Sequence, residues 1–202
     1  MLDGYNLYHK SVVFFFWALA ALALLRAVLV ISGGAYELEK TSVISADAET
    51  LWLWVSDNKN RARWVAGVTD LTRLKGNLHQ AGSTRMVFWR QRGKRWNAVE
   101  ATVEAVPGRR FVSHQQADKD ERNFAVELMP LGPCTTRVQL TEIIRPAAYA
   151  DRYWSFFYWG EQAERLKVSL QALEKWMKRE FVCPTGMMGK KGATATATPA
   201  HG

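Results

Sequence analysis

Residues 12–31 read VVFFFWALAALALLRAVLVI, twenty positions that carry one charge, Arg26. A helix of that length covers about 30 Å, the thickness of a bilayer's hydrocarbon. Arg26 falls near the C-terminal end of the run, where a long side chain reaches the headgroups, and Trp17 and Tyr8 suit the opposite interface. A cleaved signal peptide is the rival reading, with Gly33-Gly34-Ala35 as its small-residue site. Such peptides carry a shorter apolar stretch, about 7–15 residues, behind a basic start. Only Lys10 supplies a basic side chain before the run. The expectation is therefore a retained single-pass anchor over 1–35 and a location in the cell membrane. Lys10 and Lys40 flank the span without a marked imbalance, which leaves the side of the soluble part open.

After Gly34 the pattern shortens. Residues 36–45 read as a strand, Asp47 as the N-cap of a helix over 48–55, and 58–65 as a second short helix or turn. Strands are expected over 68–75, 83–92, 95–106, 110–117, 123–131 and 135–145, each closed by a turn signal such as Gly76-Asn77, Gly93-Lys94 or Gly132-Pro133. Phe124, Val126 and Leu128 share one face by period two, as do Val138, Leu140 and Ile144. Val99, Ala101 and Val103 alternate with Glu100, Thr102 and Glu104 in the same way, so the apolar set is expected inside and the polar set in solvent. A long helix over 149–180 follows. Its first half is crowded with Tyr153, Trp154, Phe156, Phe157, Tyr158 and Trp159, and its second is amphipathic through Leu166, Leu170, Leu173 and Trp176. Residues 181–202 are rich in Gly, Ala, Thr and Lys and are expected to be disordered.

This order of elements, with the residues that punctuate it, resembles the START-like, or SRPBCC, superfamily. S-A-D-A-E-T-L-W over 45–52 is similar to the start of that superfamily's first helix, and Trp64 and Gly82 follow where it has a tryptophan and a turn glycine. P-G-R-R-F over 107–111 looks like its middle hairpin, and the ribbon over 124–143 like its last paired strands. The resemblance implies an α+β domain over 36–180 with the helix-grip fold. In that fold a curved antiparallel sheet of about seven strands wraps a long C-terminal helix, and the cavity between them holds lipids, sterols, polyketides or quinones.

Composition refines the picture. The chain is 48% hydrophobic and has nine Trp, enough for a packed core. Lys10, Arg26 and Lys40 balance Asp3, Glu37 and Glu39, so the net charge of +8 lies wholly beyond residue 40. A basic domain beside a membrane points to anionic headgroups before nucleic acid. Arg85, Arg90, Arg92, Lys94 and Arg95 form a basic hairpin about Gly93, and Arg90, Arg92, Lys94 and Arg95 are the candidate membrane-surface contacts.

Candidate chemistry is sparse. None of His9, His79, His114 and His201 pairs with another at metal spacing, and His114 reads as a solvated strand residue. Cys134 and Cys183 are far apart and in unlike contexts, which suggests neither a disulfide framework nor a zinc site and leaves the redox compartment undecided. The glycines and lysines of 186–191 lack the phosphate-loop spacing. Glu142 shares the apolar face of its strand, so it either points into the interior or is turned to solvent or paired with an arginine.

The leading expectation is a membrane-anchored, non-catalytic carrier or sensor of an apolar small molecule. Phe124, Val126, Leu128, Val138, Leu140, Glu142, Trp154 and Phe157 are the expected lining, with no catalytic residue, metal or cofactor. An accessory subunit docked on other membrane proteins, or a cyclase- or hydrolase-type START-like enzyme, is the alternative.

Overall fold

The computed structural model describes residues 3–77 and 79–183; within helices, the side chains of 3–10, 29–33, 149–150 and 153–156 lie outside that description. Helix α1 (Asp3–Gly33) precedes β1 (Tyr36–Ile44), α2 (Ala48–Ser56) and α3 (Asn58–Trp64). Then follow β2 (Val68–Lys75), β3 (Thr84–Gln91), β4 (Lys94–Val106), β5 (Arg110–Gln116), β6 (Asp120–Gly132), β7 (Thr135–Pro146) and α4 (Tyr149–Glu180). The strands form one antiparallel sheet in the order β1-β7-β6-β5-β4-β3-β2.

Local chemistry sets these boundaries. The Asp47 carboxylate accepts from the Thr50 backbone N–H at 2.7 Å and from its hydroxyl at 2.8 Å, capping α2. Asp57 ends α2 and caps α3, accepting from the Asn60 N–H at 3.1 Å. Arg92 and Gly93, at φ 51 and 75, make the two-residue turn between β3 and β4, a geometry that favours positive φ at both positions.

Helix α1 contains an apolar window, Ser11–Val28, with mean hydropathy 2.2 and none of it buried by the rest of the chain. It is long and apolar enough to cross a membrane. From its end, Gly34 and Ala35 lead straight into β1, where Tyr36 lies opposite Ile144, two residues before β7 stops. The start of α4 therefore sits at the same end of the sheet. So does the β5–β6 turn, because the Ala147 N–H donates to the Lys119 carbonyl at 2.9 Å. This is the α1-proximal, or anchor, end of the sheet.

Helix α4 packs Leu166, Leu170, Leu173 and Met177 onto the sheet, and with α2 and α3 it closes a core that includes Ile44, Leu51, Trp64, Phe111, Val126, Val138 and Leu140. At the far end of the sheet Cys183 is joined by a disulfide to Cys134 in the β6–β7 turn, with Cα atoms 5.7 Å apart. This corrects the expectation of two unrelated thiols. The two lie 49 residues apart, and the antiparallel return of α4 is what brings them together.

A second correction concerns β4. Val99 and Val103 are 44% and 58% exposed, whereas Glu100 and Thr102 are 0% and 2% exposed. The apolar face of this strand looks outward and its polar face is the buried one.

Candidate functional site

The inversion of β4 extends across the sheet. Arg85, Glu100, Gln115 and Arg122 are cross-strand partners in turn on β3, β4, β5 and β6, and all four are buried. A polar band thus crosses the buried face of the sheet, where period-two reasoning expects a lipid-lined space.

On its β3–β4 side Glu100 is the hub. Arg61 of α3 gives it two hydrogen bonds, at 2.5 and 3.1 Å, and Gln115 donates a third at 2.5 Å. Arg85 Nε lies 3.2 Å from the same carboxylate, while its terminal nitrogens donate to Asn58 and Thr102. Burial raises the Glu100 pKa, but the Arg61 charge and hydrogen bond, then Arg85 and Gln115, more than reverse this and hold it below the usual carboxylate value. Burial and the neighbouring Arg61 pull the Arg85 guanidinium down to about 10. Both guanidinia also lie over the Phe111 ring, at 5.2 and 5.3 Å, so a delocalised cation replaces hydration with an aromatic face.

On the anchor side Glu142 is the hub. Of the outcomes open to it in the sequence, the structure shows two together, since Glu142 points into the interior, 2% exposed, and is paired there with arginine. Arg165 of α4 donates to it, and Arg122 lies 3.6 Å away while donating to Asp120 at 2.7 and 3.0 Å. Gln162 accepts from Arg165 Nε at 3.0 Å. Tyr36 sits beside this cluster, its pKa pushed up to about 12, first by burial and then by the Glu142 and Asp120 carboxylates, against Arg122 and Arg165.

The other expected lining residues are placed as follows. Phe124, Val126, Leu128, Val138 and Leu140 are 0–4% exposed and belong to the packed core. Phe157 is 60% exposed, on the outside of α4, and the Trp154 side chain lies outside the described residues. Arg90, Arg92, Lys94 and Arg95 are exposed; Arg85, grouped with them by sequence, is fully buried. His114 is half-buried, its Nδ1 2.8 Å from the Asn123 side-chain oxygen.

Open space lies elsewhere. A recess of about 710 Å³, toward the anchor end, is lined by Thr69, Asp70, Phe88, Trp89, Arg90, Arg95, Trp96 and Asn97. Trp89 and Trp96 stack behind it, 6.1 Å apart and 6° from parallel, with Trp89 only 3% exposed in the core and Phe88, Arg90, Arg95 and Asn97 on the open face. The Arg165 and Arg122 guanidinia lie 5.2 and 5.7 Å from the Trp89 ring, so the recess backs onto the polar band. Sequence reasoning missed this place because both Trp were read only as members of the strands over 83–92 and 95–106. Their direct pairing in the β3–β4 register was the available signal.

Neither a protein-family model nor a curated protein matches the sequence. Solved structures do. The Zhui aromatase/cyclase of a Streptomyces species is 14% identical over 72% of this chain and 94% of its own, with a TM-score of 0.61. A START superfamily protein of Mycobacterium smegmatis is 17% identical over 70% of this chain and 98% of its own, with a TM-score of 0.56. A major latex-like protein of Panax ginseng is 12% identical over 71% of this chain and 97% of its own, also at 0.56. With seven antiparallel strands gripping a long C-terminal helix, the chain after α1 has the helix-grip fold of START-like proteins, set behind an apolar N-terminal helix.

Proposed function

We propose that this chain is a membrane-anchored binding protein for a hydrophobic ligand of the lipid, quinone or polyketide-like kind, acting as a non-catalytic carrier or sensor. The observation that carries this reading is the recess at Trp89 and Trp96. Its volume of about 710 Å³ lies within the range of small-molecule sites, roughly 300–1,000 Å³. Phe88 and the partly exposed Trp96 offer apolar surface, and the exposed Arg90 and Arg95 offer positive charges that would orient an electron-rich head. The apolar helix keeps such a site where water-insoluble molecules are concentrated. Glu142, the carboxylate on the apolar face of β7, is engaged by two arginines, which favours binding over proton transfer.

The test is uptake of a fluorescent fatty acid by the full chain in detergent and in nanodiscs, compared with Trp96→Ala. Saturable uptake that the variant loses supports the reading. A wild-type protein that takes up neither this probe nor a fluorescent quinone analogue sinks it.

A further inference from the structure

We propose that the anchor end of the domain is a bilayer-docking face, in which the first half of α4 lies in the headgroup layer and the β3–β4 hairpin contacts anionic lipid. The proposal rests on the reading that α1 spans a membrane.

Three observations place the face. First, Arg165 meets Glu142 near the end of β7, so the sixteen residues of α4 before it, about 24 Å of helix, run on past that level. α1 packs against α4 and nothing else among its larger contacts, so the two helices leave the sheet together. Second, β3 and β4 reach out alongside: Lys94 is six residues beyond Glu100, about 20 Å along the strand. The hairpin tip clips α4 there, Gln91 donating to Glu161 at 2.7 Å and Arg92 pairing with Glu161. Third, the surface so assembled has the composition of an interfacial one. Phe157, Tyr158 and Trp159 are 60%, 41% and 52% exposed, beside exposed Arg90, Lys94 and Arg95. Consecutive exposed aromatics flanked by basic side chains suit the layer where ring bodies enter acyl chains and charges meet phosphates. Arg92 is the one described residue other than glycine with positive φ; the two-residue turn sets that angle, and the side chain placed there is the one that reaches Glu161 of α4.

The test uses the full chain in nanodiscs, with the native disulfide intact and a dye at Phe157→Cys, Lys94→Cys or Leu22→Cys. Lipids carrying a quencher near the headgroup are present throughout, with phosphatidylglycerol included or omitted. Quenching at positions 157 and 94 is expected, with that at 94 lost when phosphatidylglycerol is omitted or when Arg90 and Arg95 are both changed to Glu. A quencher deep in the acyl region should reach position 22. Position 22 quenched while 157 and 94 stay dark would leave the span intact and overturn the docking face, as would protection by a co-purified protein. Position 22 unquenched would overturn the span itself.

A separate observation bears on which side of the membrane this face lies. The chain's two cysteines are joined, at a Cα separation of 5.7 Å that falls in the usual bridging range. Such bonds persist in oxidising compartments and are rare where thiols are kept reduced. We infer that the domain lies on the oxidising side, with the Lys10 flank on the other. Arg26 and Lys40 sit on the domain side of the span and count the other way against Lys10, but long domains cross largely regardless of their charge. Maleimide labelling of native membranes, with and without prior reduction, decides it. Thiols that label only after reduction, in a domain cleaved by protease added to the oxidising side, are the expected result; free thiols without reductant overturn it.

Discussion

The Arg92 guanidinium lies 4.8 Å above the ring of Tyr158 while its own backbone sits in the left-handed region, at φ 51. The turn position would accept asparagine or glycine with less strain, and the contact with α4 would not. Arg92→Gly is therefore expected to change global stability by less than about 1 kcal/mol, since relief of strain offsets a lost surface pair. Backbone amides of 149–160 should exchange faster in that variant. Unchanged exchange there would show that the clip does not hold the helix.

Removing the Glu100 charge leaves Arg61 and Arg85 buried without their shared counter-ion. Glu100→Gln should cost about 3–5 kcal/mol by urea unfolding, the usual penalty for breaking a buried pair. A loss under about 1 kcal/mol would mean that water reaches this part of the interior.

The same carboxylate sets an acid limit. Its folded pKa is depressed, so its stabilisation is present above the unfolded value near 4.5 and is lost as pH falls from there through the folded pKa. Tyr36 works at the other extreme. Raised to about 12, it contributes stability fully present below its ordinary pKa of 10.0, which is lost as pH rises from 10.0 to about 12. Tyr36→Phe should flatten that alkaline limb; a limb that keeps its slope assigns it to other groups.

Val126 exposes no surface. Val126→Trp should overpack the core and cost roughly 1–3 kcal/mol. Stability kept, with lost uptake of the fluorescent fatty acid, would instead place the ligand against Val126 and not at Trp89.

Breaking the disulfide by Cys134→Ser should lower stability by about 2–4 kcal/mol, given the 49-residue separation it closes. Thermal unfolding with and without reductant should show the same difference in the wild-type chain and none in the variant.

Much of the fold was legible because its signals are local. Alternation in β6 and β7, the Asp47 cap and the glycine turns lie within a few residues of what they control. The site was not, because its logic runs across strands. Glu100 looks like a solvent-facing residue until Arg85, Gln115 and Arg61 stand beside it, and those come from β3, β5 and α3. Period two gives two faces and no label for inside; the polar face of β4 went in because its partners there were polar as well. Cys134 and Cys183 were unreadable as a pair for the same reason, since only the return path of α4 joins them.

In mechanical terms α4 is a cantilever. From Gln162 onward it is built into the wall of the domain, by Arg165, by the leucines, and finally by the covalent weld at Cys183. The part before Glu161 is held at its side by the β3–β4 hairpin, through Arg92 on Tyr158, and α4 also carries the contact with α1. A tilt of α1 would therefore load the beam at its free end, and the bending moment would peak where the wall begins, at Arg165 and Glu142. Arg165 also lies 5.2 Å from the Trp89 ring, so the root of the beam is one buried indole away from the space proposed for the ligand.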